Sequence, residues 1–126
     1  MEQEEFDIVD LIINTIEEEL ELPVFFMRCE EDIVNSPYVI FSCTNEIDSD
    51  RFDNEYWSEY YNLDVTLWYT NPQDGCLYKK IKKALKNKGF KFKKCYDVID
   101  ENSNDTIGVD IYYGKLMTFS YKRFLF

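Results

Sequence analysis

No histidine occurs anywhere in this chain, which removes much of the catalytic repertoire before any fold is considered. Neither a Ser-His-Asp nor a Cys-His constellation can be built. The four cysteines, Cys29, Cys43, Cys76 and Cys95, include no C-x-x-C pair and have no histidine to complete a zinc site. Asp48, Asp50 and Asp53 form a D-x-D-like run that could suggest calcium. An EF-hand loop also needs a glycine at its sharp turn and a distal bidentate glutamate, and neither stands at the required spacing. The four glycines are scattered, so no phosphate-cradling loop forms. Carboxylates are abundant but unpatterned, which is no signal for glycoside hydrolysis. The expectation is a protein that is not an enzyme and uses no cofactor or metal.

One stretch remains that could bind. Nine lysines lie between Lys79 and Lys94, interleaved with Phe90 and Phe92, a pattern compatible with single-stranded nucleic acid. A formal net charge of −11 opposes that reading, because phosphates repel such a chain, and the aromatics fall at core-facing spacing. Nucleic acid is therefore not an expected partner. Charge is instead segregated along the chain. Residues 1–59 hold most of the acids and only two bases, Arg28 and Arg51. Two solvated helix faces of opposite sign would account for this. A molecule with one negative and one positive side can also meet a copy of itself head to tail, and such heterologous contacts generate rings or filaments.

The elements that must carry these groups are set by periodicity. At 126 residues, with 45% apolar and 17% aromatic residues, the chain is expected to form a single domain over 1–126 with a packed core. Phe6, Val9, Ile12, Ile13, Ile16 and Leu20 recur at helical steps, predicting a helix over 4–21. Glu4, Glu5 and Asp7 suit its positive end, whereas Glu17, Glu18, Glu19 and Glu21 crowd its negative end and call for a basic partner. Pro23 stops it. Strands are predicted over 24–29, 38–44 and 56–70, the last with Leu63, Val65, Leu67 and Tyr69 at period two. Asn45 to Glu55 reads as a polar loop, and the aromatic arm Trp57, Tyr60 and Tyr61 beside it as a contact surface.

Asn71-Pro72-Gln73-Asp74 predicts a turn with Asp74 as N-cap, leading into a helix over 75–88 that buries Leu77, Ile81, Ala84 and Leu85. Gly89 is expected to end it in the left-handed conformation, with Phe90 making the accompanying apolar contact. A strand over 90–99 should place Phe90, Phe92, Lys94, Tyr96 and Val98 on one face. A polar loop at 100–105 comes next, residues 106–113 are ambiguous, and 116–124 reads as a last strand. The fold class is α+β, in the order α-β-β-β-α-β-β. It implies a mostly antiparallel sheet of four to five strands with both helices on one face. The acidic N-terminus lacks a signal-peptide pattern, and no apolar run is long enough to span a bilayer, so a reducing cytoplasm with free thiols is expected.

The motifs Pro23-Val24, Ser36-Pro37-Tyr38-Val39-Ile40-Phe41, Tyr61 to Tyr69, Asn71-Pro72-Gln73-Asp74, Gly89-Phe90 and Met117-Thr118-Phe119-Ser120-Tyr121 stand in a distinctive order. In that order the chain resembles the tail terminator, or tail-completion, proteins of long-tailed bacteriophages and prophage-derived tail particles. The resemblance covers nearly the whole chain. It implies a small α+β subunit that assembles into a ring, usually of six. Such a ring caps the tail tube, halts its elongation and offers a surface to head-completion proteins. It also implies a location in the host bacterial cytoplasm during assembly and then in the virion or tail particle. The chain departs from the pattern in its acidity and in the polar segment Asn102 to Asp105. On this reading Lys79, Lys80, Lys83 and Lys86 are expected to face Glu17, Glu18 and Glu21 of a neighbouring subunit. Asp48, Asp50, Asp53, Trp57 and Tyr60 are expected to reach the tube or a neighbour. The competing expectations are a neck or head-completion protein, and a monomeric acidic adaptor or inhibitor of a basic partner.

Overall fold

A computed structural model describes residues 7–27, 37–52, 55–104 and 108–124. Its first element is helix α1, Ile8–Leu20, capped by Asp7, whose carboxylate accepts from the Val9 amide at 2.9 Å. Of the apolar stripe predicted for this helix, Ile12 and Ile16 are buried and Val9, Ile13 and Leu20 are partly buried, while Ile8 and Thr15, outside that stripe, are buried too. Ile12 and Ile16 are inaccessible to solvent, Ile8 nearly so, and Phe6 lies outside the described residues. Glu21 ends the helix in the left-handed conformation at φ 56°, a position where a Cβ costs roughly 1–2 kcal/mol. Strand β1, Val24–Phe26, comes directly after Pro23 and is shorter than predicted. Arg28, Cys29 and the connection over 30–35 lie outside the described residues.

Strand β2 runs Tyr38–Phe52 and β3 runs Glu55–Tyr69. The stretch from Asn45 onward is thus a strand and not the predicted loop. It pairs residue by residue with β3, out to Arg51↔Tyr56 and Phe52↔Glu55. Cross-strand hydrogen bonding sustains this arm where no burial pattern would announce it. After β3, Asn71 rather than Asp74 provides the cap: its side chain accepts from the Gln73 amide at 3.1 Å, and Pro72 opens a 3-10 turn over Pro72–Leu77. Proline suits that first position because its missing N–H would have no partner there. Helix α2, Tyr78–Asn87, continues from the turn and buries Ile81, Ala84 and Leu85. Gly89 takes φ 98°. Its amide bonds to Lys86 O and that of Phe90 to Leu85 O, with the Phe90 side chain buried. That is the glycine stop with its apolar contact.

Strand β4, Lys91–Asn104, and β5, Gly108–Phe124, form a second long hairpin. The polar segment from Asp100 to Asn104 is strand rather than loop, and Asp105 lies outside the described residues. A bulge at Lys93 also breaks the predicted alternation in β4. Phe92 therefore faces the core, 5.5 Å from the Phe119 ring, while Lys94, Tyr96 and Val98 pair with Thr118, Leu116 and Gly114 on the opposite face. One inserted residue reverses every side chain beyond it.

The five strands form one sheet in the order β1-β2-β3-β5-β4, antiparallel except for the parallel β1–β2 pair. This is the α+β class, with the helices and strands in the predicted order. Both helices cover the face that carries Val39, Phe41, Leu63, Val65, Leu67, Met117 and Phe119, and these residues with Ile12, Ile16, Ile81 and Leu85 make one core. Each such side chain contributes about 1.5–3 kcal/mol on burial. Among the described residues no helix covers the other face, and none is long and apolar enough to cross a membrane. Across the uncovered face, Tyr38, Trp68, Gly114 and Val98 form a single row over four strands. A Cβ on Gly114 would stand 2.6 Å from Val98 Cγ2 and 2.9 Å from the Trp68 ring.

Two stability changes are expected in urea melts. Gly114→Ala should lower stability by about 1–3 kcal/mol, because it overpacks that row. Glu21→Gly should raise it by about 1 kcal/mol by relieving the left-handed residue and removing a carboxylate from the negative end of α1.

Candidate assembly interface

The α2 lysines lie along two flanks of the helix, with Lys83 lining both. Lys80 and Lys83 line a groove of about 220 Å³ against α1, together with Glu19, Leu20, Ala84 and Asn87. At the end of that groove Lys88 Nζ lies 3.8 Å from Glu19, with both side chains nearly half exposed. Such a pair is worth about 0–1 kcal/mol. It nonetheless supplies, from the same chain, the basic partner that the crowded negative end of α1 requires. Glu17, Glu18 and Glu21 are exposed at that end. On the far flank Lys79, Lys82, Lys83 and Lys86 surround a depression of about 240 Å³. Here Lys82 Nζ sits 4.0 Å above the Phe92 ring of β4, a cation–π contact that joins the basic face of the helix to the start of that strand.

The proposed contact residues of the β2–β3 arm are brought together only in part. Asp48 and Asp50 lie on the β2 side of the arm and Trp57 on the β3 side, while Asp53 lies outside the described residues. Tyr60 is half-buried and tied into the sheet. The Lys93 ammonium lies 5.6 Å from its ring centroid and donates to Asn62 Oδ1 at 2.7 Å. A hydrogen bond from the Ser120 hydroxyl, then the positive charges of Lys93 and Lys91, hold the Tyr60 phenol below the ordinary tyrosine range against the opposing effect of burial. Neighbouring Tyr61 points into the core, where burial first, and the Glu59 and Glu46 carboxylates second, push its phenol well up. Glu59 pairs with Arg123 of β5 at 3.2 Å, bracing the base of the arm.

Sequence reasoning missed the bulged residues. Thr44 on β2 and Lys93 on β4 are both extra residues, set on opposite sides of the β3–β5 pair to either side of its Leu63–Phe119 row. Thr44 Oγ1 donates to Asn62 O at 3.1 Å. Between the bulges lies a shallow depression of about 390 Å³ lined by Thr44, Asn62, Asp64, Lys93, Lys94 and Thr118. The only sequence signal for it was Lys93-Lys94, which breaks the apolar alternation of β4. Farther along the β4–β5 pair Lys115 is held by Asp97, whose hydrogen bond raises the lysine above its ordinary range. Among the described residues no group of histidine, cysteine, aspartate or glutamate is placed to hold a metal ion. In comparisons with known proteins, no family model matches the chain and no curated protein matches it.

A spectrophotometric titration should show the two adjacent tyrosines ionising apart, Tyr60 below and Tyr61 above the ordinary phenol range. Lys93→Met should move the Tyr60 transition upward and leave Tyr61 in place. Assignment by Tyr60→Phe and Tyr61→Phe checks the order.

Proposed function

We propose that this chain is a structural assembly subunit of a phage-type tail. Copies form a ring, of six on the family resemblance, that caps the tail tube, stops its elongation and presents a joining surface to head-completion proteins. On this reading the subunit works in the host bacterial cytoplasm and remains in the virion or tail particle.

The observation that carries the proposal is the disposition of the two hairpins. Among the described residues only β2 and β3 continue beyond Ser58↔Phe124, out to Phe52↔Glu55. Past Tyr69↔Tyr113, at the other end of the sheet, only β4 and β5 continue among the described residues, out to Asn104↔Gly108. A stopper must hold the tube on one side and accept a second component on the other. A sheet with a two-stranded arm at each end suits that task. Segregated charge supports it too: an acidic arm, an acidic end of α1 and a basic α2 offer complementary surfaces to successive copies.

Light scattering across protein concentration, at low and high salt, tests the ring, and electron microscopy of polymerising tail tube protein tests the capping. A ring-sized species that dissociates in high salt is expected, because exposed charge pairs are screened there. Tubes grown with the protein present should be shorter and capped. A strict monomer that leaves tube length unchanged would overturn the proposal.

A further inference from the structure

The side of the sheet that no described helix covers sets a stripe of rings beside a cluster of lysines. Its two most apolar rows are Tyr38–Trp68–Gly114–Val98 and Ile40–Thr66–Leu116–Tyr96. Tyr96 is 47% exposed, and Tyr38 and Trp68 are half-buried. Successive rows beyond the stripe bring Lys94 opposite Thr118, Lys91 opposite Ser120 and Lys122 opposite Tyr60. Lys93 reaches the same face, where it donates to Asn62 Oδ1. Two of these lysines lie beside rings: Lys94 Nζ is 5.6 Å from the Tyr96 centroid, and Lys93 Nζ is 5.6 Å from that of Tyr60. We infer that this open face binds single-stranded nucleic acid without sequence preference, with bases on Tyr96 and Trp68 and phosphates along Lys91, Lys94 and Lys122. The site is independent of the ring reading, which leaves this face unassigned.

Two facts of the sequence oppose such a partner, the net charge of −11 and the core-facing spacing of the aromatics. The fold answers both at this face. Charge is sorted between the two sides of the sheet. Glu46 and Glu59 act on the core-facing Tyr61, and Asp97 pairs with Lys115 beside Tyr78, so all three acids lie on the helix side. The exposed Glu17, Glu18 and Glu21 belong to the helix layer as well. Among the described side chains the open face carries four lysines against one acid, Asp64. Asp100 and Glu101 of β4 stand past the stripe, opposite Tyr112 and Ile111. Along the strand they are roughly 20 Å from Lys94, farther than the ~8 Å over which charges act in physiological salt. Spacing is answered by the bulge at Lys93. It leaves Phe92 in the core and turns Lys94 and Tyr96 outward together.

The class of ligand follows from the pairing of rings with cations. A single strand repeats a flat base and a phosphate, and stacking beside a basic track holds it whatever its sequence. An acidic peptide would neutralise the same lysines and leave the rings without a matching group. A duplex keeps its bases stacked on one another, and no described helix stands on this face to enter a groove. Tyr96 and Trp68 are two strands and one row apart, roughly 12 Å, so the bound strand crosses the sheet. Gly114 lies in the row between them, where a Cβ would meet both Trp68 and Val98.

Fluorescence anisotropy on the full chain tests the site, with labelled oligothymidylate and oligouridylate of about 15 nucleotides as probes. Both should bind at about 50 mM salt and weaken as salt rises. In a Trp57→Phe background they should quench Trp68 emission. Tyr96→Ala should weaken binding about 5- to 150-fold. Lys91→Gln with Lys94→Gln should weaken it about tenfold or more and reduce the slope of log affinity against log salt by about 1.4. Lys80→Glu with Lys83→Glu, on α2, should leave affinity within about twofold, because these lysines lie beyond the reach of the open face. Circular dichroism checks that each variant is folded. Absence of binding at low salt overturns the inference, as does equal weakening by the α2 variant. Competition by polyglutamate as effective as by unlabelled oligonucleotide would make the face an acidic-protein dock instead. A duplex that binds as tightly as the single strand would remove the stacking. Each of these failures leaves the ring reading intact.

Discussion

Everything in this molecule depends on the pairing of β3 on both sides at once. From Ser58 to Tyr69 every residue has a partner on β5, and all but Tyr69 have one on β2 as well. Its alternate side chains Leu63, Val65 and Leu67 sit at the centre of the core. A strand held from two sides cannot slip by one residue without turning that apolar set to solvent. The register of the whole sheet is fixed by it, and so is the choice of which face the helices must cover. Ile12 and Ile16 of α1 and Ile81 and Leu85 of α2 complete that layer. The polar and charged residues that remain are forced to the rim, the arms and the outer helix surface.

The distribution of charge is a consequence of that layering. A net charge of −11 spread evenly would only keep the chain soluble and push copies apart. Here the acids collect on the β2–β3 arm and the outer end of α1, and the lysines on α2 and the start of β4. Part of the opposition is satisfied within the subunit, by Glu19 with Lys88 and by Asp97 with Lys115.

The bulges at Thr44 and Lys93 modulate the same frame. Each inserts a residue beside the central pair of strands, next to the Leu63–Phe119 row. Each increases local twist and re-aims the side chains beyond it. In β4 the insertion turns Phe92 inward and Lys94, Tyr96 and Val98 to the uncovered face. It also directs Lys93 across β5 to Asn62 and Tyr60 on β3. A residue that looks like one of many surface lysines is thereby part of the sheet's own polar network.

The sequence by itself determined the elements that bury a face. Helix α1, strand β3, the glycine stop after α2 and the apolar set Met117 and Phe119 were legible because burial imposes a period of 3.6 or 2 on residue type. The absence of histidine and the segregation of charge were legible from composition. Tertiary structure alone decided the rest. Asn45 to Phe52 looked like a loop because a two-stranded arm held by backbone hydrogen bonds needs no apolar alternation. The reversal of β4 at Lys93 was marked only by Lys93-Lys94 in the apolar alternation, and such a break does not tell a bulge from a polar surface position until strands are aligned. The cap moved from Asp74 to Asn71 because a 3-10 turn intervened, a choice made by local backbone geometry. Which lysines face α1 and which face the β4 edge depended on how α2 is rotated over the sheet. That rotation is set by where Ile81 and Leu85 find room in the core, a long-range packing condition that no local stretch of sequence encodes.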